Sequence, residues 1–146
     1  MIPRVADAPL EALRQVPLFA ELGERELKLL SGQMHERRFP AGAQVTLEGS
    51  HGAGFFVIAE GNASVSVGGE PRATLGPGDY FGEIALIDEG VRSASITAET
   101  DLLCYGMTPW EFRPFVEQHP QVAWGLLKTL ARRFRGEQTH QDSHSH

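Results

Sequence analysis

Residues 78–98 read Gly-Asp-Tyr-Phe-Gly-Glu-Ile-Ala-Leu-Ile-Asp-Glu-Gly-Val-Arg-Ser-Ala-Ser-Ile-Thr-Ala and form the most informative segment of the chain. A strand is predicted to end at Phe81, after which Gly82 permits a sharp backbone turn. Glu83 to Ile87 is long enough for one or two helical turns, and after a short loop Arg92 stands at the entrance of the next strand. The segment therefore predicts a strand, a turn, a short helix and a second strand preceded by an arginine.

This segment has the parts of a pocket for a phosphate group. A helix that opens just after a glycine presents free backbone N–H groups, which together with the helix dipole favour an anion. The guanidinium of Arg92 adds a bidentate clamp suited to phosphate. Glu83 would repel an anion, so its presence favours a ligand that also offers a hydroxyl donor, such as a ribose.

Short stretches of strand composition surround the segment, and turn residues, mainly glycine, separate them. The predicted strands cover residues 44–48, 55–60, 63–67, 72–75, 93–98 and 102–107. Glu60-Gly61-Asn62 is predicted to be a hairpin turn, because Gly and Asn tolerate positive φ. Many short strands at close spacing indicate an antiparallel barrel or roll.

Helical patterns flank the predicted roll on both sides. Residues 9–16 and 24–31 carry helical spacing before it. After it, Thr108-Pro109-Trp110-Glu111 combines a capping hydroxyl, a proline suited to the first turn and the acidic residue of a capping box. Pro120 interrupts this helix and starts another. We therefore expect one domain over 1–138, with N-terminal helices in 1–32, a roll in 33–107, C-terminal helices in 108–138 and a polar tail in 139–146.

The last predicted helix carries a wide apolar stripe. Val122, Leu126, Leu130 and Phe134 fall on one line of the helix, and Trp124, Leu127 and Ala131 widen it. One face of a small roll cannot cover so broad a stripe. We expect Trp124 and Phe134 to be core or partner-helix contacts, and the stripe to be shared with a second copy or another chain.

Composition narrows the possible classes of protein. The 146 residues suit one domain, and 41% hydrophobic with 22% charged residues can bury a core. A formal net charge of −6 makes binding to nucleic acid through bulk charge a poor expectation. The single cysteine, Cys104, rules out a disulfide framework and a four-cysteine zinc site. With no secretory signal and no apolar stretch of membrane-spanning length, we expect a cytoplasmic protein without membrane contact.

Phe81-Gly82-Glu83-Ile84-Ala85-Leu86, followed by Arg92-Ser93-Ala94, resembles the phosphate-binding cassette of the cyclic-nucleotide-binding domain family. That family includes catabolite activator proteins, kinase regulatory subunits and gated channels. The resemblance runs from about Val16 to Arg135, with the cassette over residues 81–94. It implies a mainly β fold, an antiparallel, jelly-roll-like β-roll with N-terminal helices, a short cassette helix and two C-terminal helices.

The resemblance also implies a role for each cassette residue. Arg92 would pair with the cyclic phosphate, Glu83 would accept from the ribose 2′-hydroxyl, and Ser93 would touch the phosphate or the base edge. Backbone N–H groups at the start of the cassette helix would share the phosphate. The implied ligand-binding set is Gly82, Glu83, Ile84, Ala85, Arg92 and Ser93.

The implied ligand is cyclic AMP, with cyclic GMP as the other possibility. Ser93 stands where Thr in some relatives favours guanine and where Ala or Ser accompanies adenine. Val91 occupies a position that is proline in many relatives, which puts the rigidity of the loop in doubt. In relatives the last helix covers the base, and the residues that do so correspond to positions near 137–139 of this chain. From the same helix, Arg133 could reach back to Glu83.

Plainer readings of the same residues stay open at this point. Arg92 could be a surface arginine paired with Asp88 or Glu89, and Glu83 could be only a favourable residue of a first helical turn. Ser93 could be an ordinary strand residue. The competing function is a protein-interaction β-roll whose degenerate pocket binds no nucleotide.

We expect neither catalysis nor a metal or cofactor. A metalloenzyme of β-roll type needs several converging His or carboxylate ligands, whereas the strand region offers His35 and His51. The histidines at 140, 144 and 146 suit a polar tail. We also expect no DNA contact, since there is no room for a helix-turn-helix after Arg135. The expected partners are the cyclic nucleotide and an effector protein or a second copy bound through the C-terminal helix.

Overall fold

Two antiparallel sheets with helices at one side make up the fold. The computed structural model describes residues 10–49, 54–83, 85–88 and 92–143, without the side chains of residues 88 and 137–143. Its helices are α1 (Leu10–Arg14), a 3-10 helix (Pro17–Phe19), α2 (Glu24–Gln33), α3 (Ala85–Asp88), α4 (Pro109–Gln118) and α5 (Pro120–Ser143). Its strands are β1 (His35–Phe39), β2 (Gln44–Thr46), β3 (Phe55–Glu60), β4 (Ala63–Val67), β5 (Glu70–Leu75), β6 (Tyr80–Phe81), β7 (Ser95–Ala98) and β8 (Leu102–Met107).

The strands form two four-stranded sheets. One has the order β1-β8-β3-β6 and the other β2-β7-β4-β5, and the pairings within each are antiparallel. Neighbours in sequence therefore often lie in different sheets, as a jelly-roll-like connection requires. This arrangement confirms the expected antiparallel β-roll with flanking helices, a short cassette helix and two C-terminal helices.

Strand β3 separates the core into two parts. Its residues alternate between faces, so that Phe55 and Val57 pack against the helices. Phe56 and Ile58 point the other way and pack between the sheets. Burial on both faces explains why β3 reads as an unbroken apolar run. The second part includes Cys104, where burial raises the thiol pKa to about 11.

The chain crosses between the sheets at Gly61, where a hairpin turn was expected. Strand β3 pairs with β6 and β8, whereas β4 pairs with β5 and β7, so the Glu60-Gly61-Asn62 hairpin prediction was wrong. Gly61 has a φ of 94°, and a Cβ there would collide with the Asp101 carbonyl oxygen. The close approach of the 99–101 segment, which no local pattern reveals, explains the glycine.

Helix α5 is longer than expected. The C-terminal helices were expected to end at residue 138, but α5 continues through Gly136 to Ser143. An interior glycine costs a helix about 1 kcal/mol, which weakens it without ending it. Once a helix is formed, each further residue adds a hydrogen bond to an existing turn.

Strand β1 was not predicted at all. Its sequence, His-Glu-Arg-Arg-Phe, is mostly charged, and it shows neither the composition nor the alternation of a typical strand. It forms because it pairs with β8 over its whole length, from His35 opposite Gly106 to Phe39 opposite Leu102. As the edge of its sheet, it can carry charged side chains that face water.

The C-terminal helices begin where the sequence predicted. Thr108 caps α4, with its hydroxyl accepting from the Glu111 N–H at 3.2 Å and its own N–H donating to Glu111 Oε1 at 3.0 Å. This geometry confirms the capping box. Helix α5 then packs on the N-terminal helices through Gly125, where a Cβ would lie 2.6 Å from Leu22 Cδ2. An ion pair of 2.5 Å between Arg132 and Glu21 adds to that contact.

Candidate functional site

The centre of the candidate site is the buried side chain of Arg92. Its guanidinium donates through Nη2 to the carbonyl oxygen of Gly54, which lies immediately before β3. Arg92 is only 8% exposed, so the plainer interpretation of it as a surface arginine is wrong. The alternative partner Glu89 and the side chain of Asp88 lie outside the described residues.

Gly82 makes room for this guanidinium. It has a φ of 86°, which favours glycine, and a Cβ there would collide with both the Gly54 carbonyl oxygen and Arg92 Nη1. Arg92 is therefore packed against two backbone segments, one at Gly54 and one at Gly82. The turn after β6 and the segment before β3 set its position.

Arg92 is held without a full set of partners. Its Nε is buried and makes no hydrogen bond within the part of the chain that the structure describes. Burial lowers the pKa of the guanidinium from its ordinary value, and the charge of Glu83 opposes that shift. A buried cation with an unsatisfied donor is costly, and an anion placed against it would remove much of that cost.

Glu83 lies beside Arg92 in the turn between β6 and α3. Its side chain is half-buried, and its charge acts both on Arg92 and on the phenol of Tyr80. The structure thus brings Gly82, Glu83 and Arg92 together, as the sequence predicted. A carboxylate next to a guanidinium gives the site an acceptor for a hydroxyl as well as donors for an anion.

The other predicted residues are placed less centrally. Ala85 is half-buried as the first residue of α3, which begins two residues later than predicted. Ser93 is exposed at a bend directly after Arg92. Ile84 lies outside the described residues. None of these positions contradicts a ligand contact, and the roles of the cassette residues stay predictions.

Two residues of the site were missed by the sequence reasoning. Gly54 was seen only as one of many glycines, although it supplies the acceptor for Arg92. Tyr80 was seen only as strand, yet burial and then the charge of Glu83 raise the pKa of its phenol, while the charge of Arg133 lowers it. Arg133 of α5 thus acts on the cassette, from the helix that was expected to bring it back to Glu83. It extends the buried line of Val122 and Leu126 at helical spacing.

A second feature is an apolar groove of about 420 Å³ between α3, α4 and α5. Its lining includes Leu86 and Ile87 of α3, Phe112 and Val116 of α4, and Leu126 and Leu127 of α5. Ile87 and Leu127 are exposed at its rim. The cassette helix and the two C-terminal helices therefore share one apolar contact region, through which a shift of one can affect the others.

The stripe of α5 is only partly buried. Val122 and Leu126 belong to the core, whereas Trp124, Leu127 and Phe134 are 61%, 56% and 61% exposed. Trp124 and Phe134 are thus not core residues of this chain. The three exposed side chains form what we call the α5 stripe, and it is available to a partner.

The described residues offer neither a cluster of metal ligands nor a helix suited to a membrane. Within residues 10–49, 54–83, 85–88 and 92–143, no three His, Cys, Asp or Glu side chains are grouped so that they could hold a metal ion. Among those same residues, no helix has both the length and the apolar character needed to span a bilayer.

Similar proteins are known for most of the chain. A "Cyclic AMP receptor protein" of Thermus thermophilus is 35% identical over 124 residues, which cover 82% of this chain and 57% of that protein. A "Cyclic nucleotide-gated potassium channel" of Rhizobium etli is 34% identical over 121 residues, covering 83% of this chain and 34% of the channel. The chain thus spans between a third and a little over half of these two relatives.

A solved structure with the same fold is the N-terminal domain of a transcriptional regulator from Streptomyces coelicolor A3(2). The two superpose with a TM-score of 0.79 at 31% identity, covering 89% of this chain and 94% of that one. Residues 36–119, more than half of the chain, match the family model described as "Cyclic nucleotide-binding domain". With the buried arginine, its glycine turn and this match together, the chain belongs to the cyclic nucleotide-binding domain family.

Proposed function

We propose that the chain is a regulatory module that binds cyclic AMP, with Arg92 holding the cyclic phosphate. The observation that carries the proposal is the buried guanidinium, which has one backbone acceptor and a buried Nε without a partner. A cyclic phosphate carries one negative charge and two free oxygens, which suit the planar fork of an arginine. The ligand would give the buried cation the anion that it lacks.

The rest of the cassette supports a nucleoside attached to that phosphate. Glu83 would accept from the ribose 2′-hydroxyl, since it lies close enough to Arg92 for its charge to oppose the lowering of the arginine's pKa by burial. Backbone N–H groups of Gly82, Ile84 and Ala85 would share the phosphate, and Ser93 would reach the phosphate or the base edge. Cyclic AMP is favoured over cyclic GMP for two reasons. In relatives, a serine at the position of Ser93 accompanies adenine, and a similar protein is named a cyclic AMP receptor.

Calorimetric titration of cyclic AMP and cyclic GMP tests the role of Arg92. We expect Arg92→Ala to weaken the preferred ligand by about thirtyfold to several thousandfold, equivalent to about 2–5 kcal/mol, because the phosphate would be buried unpaired. Arg92→Lys keeps the charge but loses the fork, so its affinity should lie between those of the wild type and Arg92→Ala.

The matched control is Arg38→Ala, which removes an exposed arginine that pairs with Glu36 on β1. It should bind like the wild type. Circular dichroism establishes that each variant is folded before titration. Equal affinity of wild type and a folded Arg92→Ala protein would remove Arg92 from the site.

We further propose that the ligand acts by shifting the population of α4 and α5 arrangements. The cassette helix α3 shares the apolar groove with both helices, so a cassette drawn towards the phosphate would change that contact. The output would pass through the α5 stripe to a second copy or to an effector protein. With a formal net charge of −6, we favour a protein partner over DNA.

The competing proposal is a protein-interaction roll with a dead pocket, and no enzymatic step belongs to either function. Thermal unfolding distinguishes the two. A ligand present at 100 times its Kd stabilises the folded state by about 2.7 kcal/mol, which raises Tm by several degrees in a domain of this size. We expect that rise with cyclic AMP and none with 5′-AMP, which lacks the cyclic ester. If neither cyclic nucleotide moves Tm, the dead pocket is the better description.

A further inference from the structure

The first strand is tied to the start of the C-terminal helices by a close contact between a histidine and a carboxylate. His35, the first residue of β1, places Nε2 2.7 Å from Oε2 of Glu111 in the first turn of α4. The distance is that of a charge-assisted hydrogen bond. The two residues are 76 positions apart in the sequence, so the contact exists only in the folded chain.

Glu111 has a second set of contacts through its other oxygen. Oε1 accepts from the N–H of Thr108 at 3.0 Å and from its hydroxyl at 2.8 Å. Glu111 therefore bridges the N-cap of α4 and the edge strand β1 with one carboxylate. Anything that changes the pull of His35 on this carboxylate acts directly on the start of α4.

We propose that His35 and Glu111 form a pH-sensitive clamp that fastens the first turn of α4 to β1. An imidazole changes its charge between about pH 5 and 8, so the clamp is an ion pair at the acid end of this range and a hydrogen bond from a neutral imidazole to the carboxylate at the other. Loss of the positive charge on the imidazole removes the Coulomb attraction to the carboxylate and leaves only the hydrogen bond. The start of α4 is thus held more firmly at mildly acidic pH.

Among the residues that the structure describes, His35 is the imidazole in contact with the clamp. On α4, the next charged side chains, Arg113 and Glu117, are 3.7 Å apart and pair with each other. On β8, the residue opposite His35 is Gly106, which has no side chain. On β1 itself, the neighbouring Glu36 is held by Arg38 at 2.9 Å.

Glu111 stays ionised throughout the same range. Burial raises its pKa, but the hydrogen bonds from Thr108 and the interaction with His35 together lower it by more, so the pKa lies below its ordinary value of 4.5. The stability that Glu111 contributes is therefore lost only as pH falls through this lowered pKa. Between pH 5.5 and 8 the carboxylate of Glu111 therefore keeps its charge, and we assign a change in the clamp to its imidazole partner.

A double-mutant cycle of unfolding at pH 5.5 and pH 8 tests the clamp. His35→Gln keeps a hydrogen-bond donor without titrating, and Glu111→Gln keeps the capping box, which accepts Gln, while losing the charge. At pH 5.5 the two Tm losses should be non-additive by about 2–4 °C, and at pH 8 this coupling should fall to half or less. Additive losses at pH 5.5, or the same coupling at both pH values, would overturn the proposal.

A control keeps the result specific to the histidine. Glu21→Gln removes an ion pair whose partner, Arg132, does not titrate in this range, so its Tm loss should be the same at both pH values. If His35→Gln does not fold, Glu111→Gln alone carries the test, since its Tm loss must be larger at pH 5.5 than at pH 8. The measurement uses no ligand, so its outcome is independent of whether the chain binds cyclic AMP.

Discussion

The chemistry of the site depends on how one arginine is packed. Arg92 is buried because Gly82 provides room beside it and the Gly54 carbonyl accepts one of its protons. A guanidinium fixed in this way loses little side-chain freedom when an anion arrives, so its interaction energy is available for binding. Glu83 next to it is a negatively charged acceptor beside a positively charged donor, and a nucleotide has a group for each, a ribose hydroxyl and a phosphate.

The proposed role of Glu83 can be separated from its effect on the charge of the pocket. We expect Glu83→Gln to weaken the binding of cyclic AMP by about tenfold, because a hydrogen bond to a charged acceptor is replaced by one to a neutral acceptor. The same substitution should have a smaller effect on 2′-deoxy cyclic AMP, which has no 2′-hydroxyl to donate. Calorimetry with both ligands and both proteins gives the comparison.

Any change in the potential around Arg92 affects the two ligands equally, so their ratio isolates the ribose contact. If Glu83→Gln weakens both ligands by the same factor, Glu83 acts only through the electrostatics of the pocket. Ala85 and Ser93 are not changed in this experiment, which keeps the rest of the cassette constant.

Among the elements, α4 has the most defined beginning. Its capping box was predictable because the four residues Thr108 to Glu111 are adjacent, and the hydrogen bonds that they form are local. Its attachment to β1 through His35 was not predictable, since it depends on the pairing of β1 with β8. The same helix thus shows which contacts a local pattern reveals and which it does not.

The capping box predicts a specific cost for the loss of its hydroxyl. Thr108→Ala should lower the free energy of unfolding by about 1 kcal/mol, because the Glu111 N–H loses its acceptor in a buried position. Chemical denaturation measures the change. Thr74→Ala on the exposed edge strand β5 is the control and should have a much smaller effect. Equal losses for the two variants would mean that the cap contributes nothing beyond an ordinary threonine.

For the whole molecule, the α5 stripe is an apolar surface that a single chain leaves uncovered. Trp124, Leu127 and Phe134 recur at intervals of three and seven residues, and such spacing is typical of a seam between two helices. Apolar side chains of this size, exposed along one line, are typical of an interaction surface. A second copy offers the same stripe and can cover it.

Light scattering at several protein concentrations tests this assembly. We expect the wild type to be a dimer and Leu127→Glu to be a monomer, since a carboxylate in the seam would be buried unpaired. Lys128→Glu changes the charge of the adjacent exposed position and should leave the dimer intact. A monomeric wild type at high concentration would contradict the dimer and would leave an effector protein as the partner of the α5 stripe.

The amino-acid sequence by itself determined the local features of this protein. Glycine turns, strand composition and the capping box depend on neighbouring residues, and most of the strands and helices were therefore predicted close to their observed bounds. The cassette was recognisable for the same reason, because its parts lie within residues 81–94 and follow one another at short spacing.

The tertiary structure alone decided what depends on distant residues. Strand β1 forms by pairing with β8, Gly61 crosses between the sheets beneath Asp101, and the partner of Arg92 comes from Gly54, 38 positions earlier. Whether an apolar residue of α5 is buried depends on which elements pack against it. These outcomes follow from the free energy of long-range contacts, which outweighs local preference wherever folding brings separated backbone and side-chain groups together.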